Sequence, residues 1–343
     1  MSRRRTLRTP QDLLDAGLIS DARAVDEVAR AYAVALTPAV ADLIDPADPH
    51  DPIARQYVPS AEELVTTAEE RADPIGDAAY SPVKGLVHRY PDRVLLTPLL
   101  VCPVYCRFCF RRARVGDAEA TMTEAEMDSA LAYVAERPQI REVILTGGDP
   151  LMLGETRLGA LLARIRAIPH VDLIRIHSRV PVSDPKRITA ALARLLGDGE
   201  KPVWLAVHVN HARELSPAAC AGLGLLARAG VPLLSQTVLL KGVNDTVETL
   251  EELFRALVRN RVRPYYLHHP DLAPGTGHFR PTIAKGQALM RTLRGRLSGI
   301  AQPTYVLDIP GGAGKVPVGP GYWDGEGATV TDPQGGEHPY LPG

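Results

Sequence analysis

The run Cys102-Pro-Val-Tyr-Cys106-Arg-Phe-Cys109 sets three thiols at C-x3-C-x2-C spacing just beyond an apolar segment. Iron–sulfur clusters are held by cysteine thiolates, ordinarily four, so a cluster with three keeps one iron open to a ligand that is not protein. With a histidine or Cys220 as fourth ligand, the same thiols could instead close a tetrahedral zinc site. A second distinctive stretch is Asp308-Ile-Pro310-Gly311-Gly312-Ala-Gly314-Lys315, with one lysine in a glycine-rich loop after a predicted strand. A phosphate loop requires Ser or Thr after its lysine; Val316 follows Lys315, so that reading fails. A lysine on so permissive a backbone can form a Schiff base with pyridoxal phosphate (PLP), the glycines leaving room for cofactor and substrate. An ordinary glycine loop is the alternative. Gly147-Gly148-Asp149 is a third candidate, a turn whose backbone can approach a ligand with its polar groups free.

Residues so far apart in sequence need a scaffold to gather them. From about residue 93 onward the chain alternates strand-like and helix-like segments, with strands expected at 94–101, 142–145, 173–177, 203–209, 233–240, 264–268 and 304–307. The helices between them are punctuated by the capping box Thr123-Glu-Ala-Glu126 and by the N-cap and proline pairs Asp184-Pro185 and Ser216-Pro217. Such alternation argues for parallel β/α units. The predicted fold is α/β, an incomplete (β/α)6-type TIM-like barrel over 93–320, after a helical N-terminal region over 1–92 and before a Gly- and Pro-rich tail over 321–343. Within the N-terminal region, Ser60-Ala-Glu-Glu63 reads as a capping box opening a helix. Function in such barrels gathers at the carboxyl ends of strands. The cysteine run, Gly147-Gly148-Asp149, Ser178-Arg179, His208-Val-Asn210-His211 and Asp271 all fall there.

Composition narrows the class. A chain of 343 residues, 45% hydrophobic, can bury a large core, and a net charge of −1 supplies no basic field for nucleic acid or an anionic membrane. Arg3-Arg4-Arg5 reads as a solvated terminus. With three of four cysteines in one short run there is no disulfide framework, and Cys220 reads as a buried structural thiol. The first residues lack the apolar stretch of a signal peptide, and no apolar run nears the roughly 18 residues of a spanning helix. These features lead to the expectation of a soluble cytoplasmic protein.

The cysteine run resembles the signature of radical S-adenosylmethionine (radical SAM) enzymes, in which SAM chelates the fourth iron of a [4Fe–4S] cluster. Gly147-Gly148-Asp149 resembles the element that holds the amino group of SAM, and Ser178, Arg179 and Gln236 are further candidates for the SAM pocket. Four stretches together resemble the lysine 2,3-aminomutase family over residues 50–320: Cys102–Arg112, His88-Arg89-Tyr90-Pro91-Asp92-Arg93, Tyr265-Tyr266 with Asp271-Leu272 and Gly277-His278-Phe279-Arg280, and Asp308–Lys315. The resemblance implies that Lys315 carries PLP, that Arg89, Tyr90 and Arg93 hold its phosphate and ring, that Arg111 grips the substrate carboxylate, and that Asp271 and Asp308 receive a distal amino group. The chemistry agrees, since guanidinium forks suit phosphate and carboxylate, and two acids select a cation. It further implies an isomerase that moves the amino group of L-lysine from the α to the β carbon. A 5′-deoxyadenosyl radical would remove the β hydrogen, SAM would be regenerated, and flavodoxin or ferredoxin would supply the electron.

The chain departs from the family pattern in two places. Gly242-Val243-Asn244-Asp245 is followed by Thr246, and the tail lacks cysteine, so the C-terminal zinc of larger members, and an oligomer built through it, are not expected. The short form also resembles the branch that makes (R)-β-lysine for elongation factor P. Arginine is the alternative cationic substrate, and a cluster-bearing protein without catalysis the alternative from another class.

Overall fold

Prolines cut the N-terminal region into short helical pieces. The computed structural model describes residues 5–116, 121–323 and 329–340. Helices α1 (Pro10–Asp15), α2 (Asp26–Ala31), α3 (Pro38–Ala41) and α4 (Pro52–Tyr57) are each six residues or shorter, and three of them begin at a proline behind a Thr or Asp cap. Ser60 and Glu63 do form a capping box, but it opens only the single 3-10 turn Ala61–Leu64. Arg5 pairs with Asp12, while Arg3 and Arg4 lie outside the described residues.

One sheet of nine strands, ordered as in the chain, carries the rest. Strand β1 (Leu86–Tyr90) runs antiparallel to β2 (Arg93–Leu99). From β2 the sheet is parallel through β3 (Glu142–Gly147), β4 (Leu173–Ser178), β5 (Val203–His208), β6 (Leu233–Val238), β7 (Val262–His268) and β8 (Thr304–Ile309). Strand β9 (Gly314–Pro317) turns back antiparallel on β8. Between the parallel strands lie α5 (Glu124–Ala135), α6 (Glu155–Arg166), α7 (Val180–Ser183) with α8 (Ala190–Gly197), α9 (Pro217–Arg228), α10 (Val247–Arg259) and α11 (Ile283–Arg296). Six crossovers and a seventh parallel strand make an incomplete barrel. The Asp184-Pro185 pair opens only a 3-10 turn, and α8 is capped by the Thr189 hydroxyl instead. Trp323 bridges to Val330 beside a two-stranded hairpin, β10 (Thr329–Thr331) and β11 (Glu337–Pro339); residues 324–328 and 341–343 of the tail lie outside the described residues.

Alternation along the strands separates the two faces of the barrel. On β4, Ile174 and Ile176 join the main apolar cluster with Leu158 and Leu162 of α6, while Arg175 and His177 stay half-buried on the other face. The two antiparallel strands at the sheet's ends approach one another: the main-chain N–H of Lys315 donates to the Tyr90 hydroxyl at 2.6 Å. A Cβ on Gly76 would stand 2.6 Å from the carbonyl carbon of Gly311, so the segment before β1 lies directly on the glycine turn before β9. Among the described residues no helix is long and apolar enough to cross a membrane.

The cysteine loop after β2 is pinned from two sides. On one, Gly148 N donates to Leu99 O (2.8 Å) and Asp149 N to Val101 O (2.9 Å). On the other, Tyr105 N donates to Ala35 O (3.0 Å) and Arg107 N to Gln56 O (2.9 Å), both on the N-terminal region. Between the cysteines, Arg107 grips the buried Glu63 carboxylate with Nε (3.0 Å to each oxygen) and Nη2 (2.6 Å). Arg112 adds a further ion pair to Glu63, a bond to the carbonyl of Gly275 at 3.2 Å, and a stack over Tyr32 at 3.6 Å.

Two outcomes follow from this anchoring. A Cβ at Gly148 would meet Val101 O at 2.5 Å, so Gly148→Ala is expected to cost about 1–3 kcal/mol and to lower the iron taken up on reconstitution. Glu63→Ala would strand two buried guanidiniums and is expected to cost about 3–5 kcal/mol. Chemical denaturation measures both, and a loss under about 1 kcal/mol for Glu63→Ala would show that its pairs do not hold the loop.

Candidate active site

Strand β2 delivers Cys102, Cys106 and Cys109 to the mouth of the barrel, each half-buried. Burial raises all three thiols, Cys102 well above the ordinary range and Cys109 to about 11. The charge of Cys106 pushes both others higher, so the three thiols lie within electrostatic reach of one another. Three half-buried thiols on one short loop suit a metal–sulfur cluster whose charge offsets their deprotonation.

Strands β3 and β4 supply the next wall. Ser178 Oγ (2.8 Å) and the main-chain N–H groups of Arg179 (2.7 Å), Val180 (3.1 Å) and Leu151 (3.1 Å) all donate to the Asp149 carboxylate. Burial still holds that carboxyl above the ordinary aspartate value. Its oxygens are therefore spent on bracing β3 against β4. Arg179 reaches back to Cys106, and Gln236, from β6, places Nε2 3.4 Å from Nε2 of His177. Asn210 is structural, its Oδ1 accepting from Val238 N at 2.9 Å.

The opposite wall is built by the sheet's two ends. Lys315 lies on β9 directly across from Asp308 on β8, so it belongs to a strand of a tight hairpin rather than to a loop. The glycines make that hairpin: Gly312 has φ 88°, and a Cβ there would stand 2.6 Å from the Tyr80 ring. Lys315 Nζ donates to Asp308 Oδ2 and lies 3.3 Å from His268 Nδ1. Burial works against an ionised Asp308, yet the His268 ring and the Lys315 ammonium bring it down to about 2. Burial and the same ammonium lower His268 to about 4, so its ring is neutral. Asp271, half-buried and without a side-chain partner among the described residues, is pushed up to about 7 by burial and by the charge of Asp308.

Two arginines meet at Asp77. Arg89 Nη2 donates to Asp77 Oδ1 (3.0 Å) and Ile75 O (2.6 Å), while Arg111 Nη2 donates to Asp77 Oδ2 (2.9 Å). Arg93 bonds its neighbour Asp92 at 2.7 Å and lies over the Tyr90 ring at 3.8 Å. Among the described residues Arg89 Nε is buried with no partner, a donor suited to an anion. Cations, an aromatic face and a lysine on a glycine hairpin fit the phosphate, ring and aldehyde of PLP.

Sequence reasoning missed Asp77, His268, Gln56 and Glu214. Asp77 lies in a stretch that reads only as a turn, and Glu214 carries no motif. His268 did offer a signal, standing at the carboxyl end of a strand where barrel sites gather.

Comparison with known proteins now adds to this geometry. A family model for the radical SAM superfamily matches residues 96–257, and one described as lysine-2,3-aminomutase matches 290–328. An L-lysine 2,3-aminomutase of Clostridium subterminale is 45% identical over 298 residues, 87% of this chain and 71% of that protein. One from Acetoanaerobium sticklandii is 45% identical over 289 residues, covering 84% and 70%. A glutamate 2,3-aminomutase of Clostridioides difficile is 36% identical over 307 residues, covering 90% and 72%. At that identity and coverage, the chain belongs to the lysine 2,3-aminomutase family, radical SAM isomerases that work with a [4Fe–4S] cluster, SAM and PLP.

Proposed function

We propose that this chain converts L-lysine to β-lysine, and the observation that carries the substrate is the acid pair Asp271 and Asp308 facing Lys315. When bound, the cluster and SAM supply a carbon radical, and PLP supplies the conjugated carrier on which the amino group shifts. Cys102, Cys106 and Cys109 hold the cluster and leave one iron for SAM. Because the Asp149 carboxylate is already bonded four times, main-chain groups of Gly147 and Gly148 take the ligand-facing share of that turn, beside Ser178, Arg179 and Gln236. Arg89, Tyr90 and Arg93 receive phosphate and ring. Arg111 keeps donors beyond the one given to Asp77 and takes the substrate carboxylate.

Asp308 already holds a primary ammonium, that of Lys315. With Lys315 holding PLP, Asp308 and Asp271 would be the two carboxylates that receive the distal ammonium of an incoming substrate. Glutamate would set a third carboxylate against two acids, which the charge balance opposes. A low-potential donor of the flavodoxin or ferredoxin class fits the need for one electron.

Incubation of the reconstituted protein with PLP, SAM, dithionite and 13C-labelled L-lysine, read by NMR, is expected to yield β-lysine. SAM cleavage without β-lysine would overturn the substrate, and arginine would be tried next. Lys315→Ala is expected to lose the visible absorption of bound PLP while iron and sulfide content stays unchanged. Asp308→Asn is expected to raise the KM for lysine about 30-fold or more, the cost of about 2 kcal/mol for breaking one buried charge pair.

The pH dependence has a definite sign. Lysine binding needs the Asp271 carboxylate ionised, and its proton is held up to about pH 7. The KM for lysine should therefore climb below that pH, approaching about tenfold per unit. Losing the Lys315 cation to PLP can only move this threshold upward. Asp271→Asn should bind lysine more weakly and lose this slope; a KM flat from pH 8 to 6 in the unmodified enzyme would remove Asp271 from the amine site.

A further inference from the structure

Arg179, at the carboxyl end of β4, is 5% exposed and held on several sides. Nη1 donates to Cys106 Sγ at 2.9 Å, and Nη2 donates to Gln56 Oε1 at 2.6 Å and Glu214 Oε2 at 2.7 Å. The rings of Tyr57 and Phe108 lie 4.6 and 5.4 Å from the guanidinium carbon. Its partners are fixed in turn. Glu214 accepts the main-chain N–H of Asn210 (2.8 Å) and of His211 (2.9 Å) and the Tyr57 hydroxyl (3.2 Å). Gln56 Oε1 also accepts from Asn210 Nδ2 at 3.0 Å. Swinging Arg179 away would leave Glu214, 2% exposed, buried without its counter-charge.

A guanidinium so immobilised presents a permanent charge and an N–H donor to one thiolate of the cluster. Reduction adds one electron to the cluster and its thiolates, and a cation bonded to a ligating sulfur stabilises the more negative state more. Outer partners of metal ligands act in this way on redox potential. Glu214 pairs with the other terminal nitrogen, so the sulfur meets the positive end of the ion pair.

We propose that Arg179 is a positioning residue that raises the reduction potential of the [4Fe–4S] cluster through its bond to Cys106, independently of SAM. The proposal rests on the reading of Cys102, Cys106 and Cys109 as cluster ligands. A role confined to the SAM pocket would leave the SAM-free potential unmoved.

The test is a redox titration of the reconstituted full chain without SAM, using dithionite and following the reduced cluster by EPR. The charge-balanced double variant Arg179→Gln with Glu214→Gln is expected to reduce at a more negative potential. The expected size is about tenfold in the reduction equilibrium, about 59 mV for one electron. Arg179→Lys should fall between it and the unmodified protein. Glu214→Gln alone, which leaves the cation unneutralised, should shift the potential the other way, and it decides the matter if the Arg179 variants fail to assemble a cluster. An unchanged midpoint in a variant with full iron and sulfide overturns the proposal. Unmodified protein that takes up no iron and sulfide would overturn the cluster reading itself, and this proposal with it.

Discussion

An ionised side chain is tolerated away from water only when paired, and two carboxylates, Glu63 and Glu214, are buried beneath the cysteine loop at 1% and 2% exposure. Their counter-charges are Arg107 and Arg112 of the loop for Glu63, and Arg179 of β4 for Glu214. Neither carboxylate can be satisfied unless the loop and the strand take up one relative placement. The geometry of the three thiols is thus set by charge pairing as well as by backbone, and the N-terminal region, which supplies Glu63, Gln56 and Tyr57, is part of the site's floor.

At the far side of the barrel mouth the same rule operates with one acid left open. Asp308 is satisfied by Lys315, and Asp77 by two arginines, while Asp271 has no side-chain partner among the described residues. This end of the site therefore carries a carboxylate in excess of its cations. In the proposed reading, a cationic substrate offsets that excess. The bridge through Asp77 also ties the arginine assigned to the cofactor phosphate to the arginine assigned to the substrate carboxylate, so the two anion sites share one support.

Relatives named for lysine and for glutamate both align with most of this chain, so the scaffold is common to them. What separates such substrates is the sign of the charge at the distal end. In the function proposed for this chain the discrimination falls to Asp271 and Asp308, at the ends of adjacent parallel strands.

The sequence by itself determined what depends on local pattern. The strand and helix periods and the caps at Thr123 and Ser216 all act within a few residues, and they appear in the fold as expected. Local pattern also misled: the 1–92 region reads as helical, but its prolines and the Leu7 to Leu36 bridge leave only short helical pieces. Only the tertiary structure decided that the Asp149 carboxylate is a brace, that Lys315 stands on a strand opposite Asp308, and that Asp77 joins two arginines. Arg179 and Gln56 are 123 residues apart in the chain, and Arg107 and Glu63 are 44 apart. No spacing rule links such partners, because their pairing is fixed by how the sheet curves and where the N-terminal segment lies upon it.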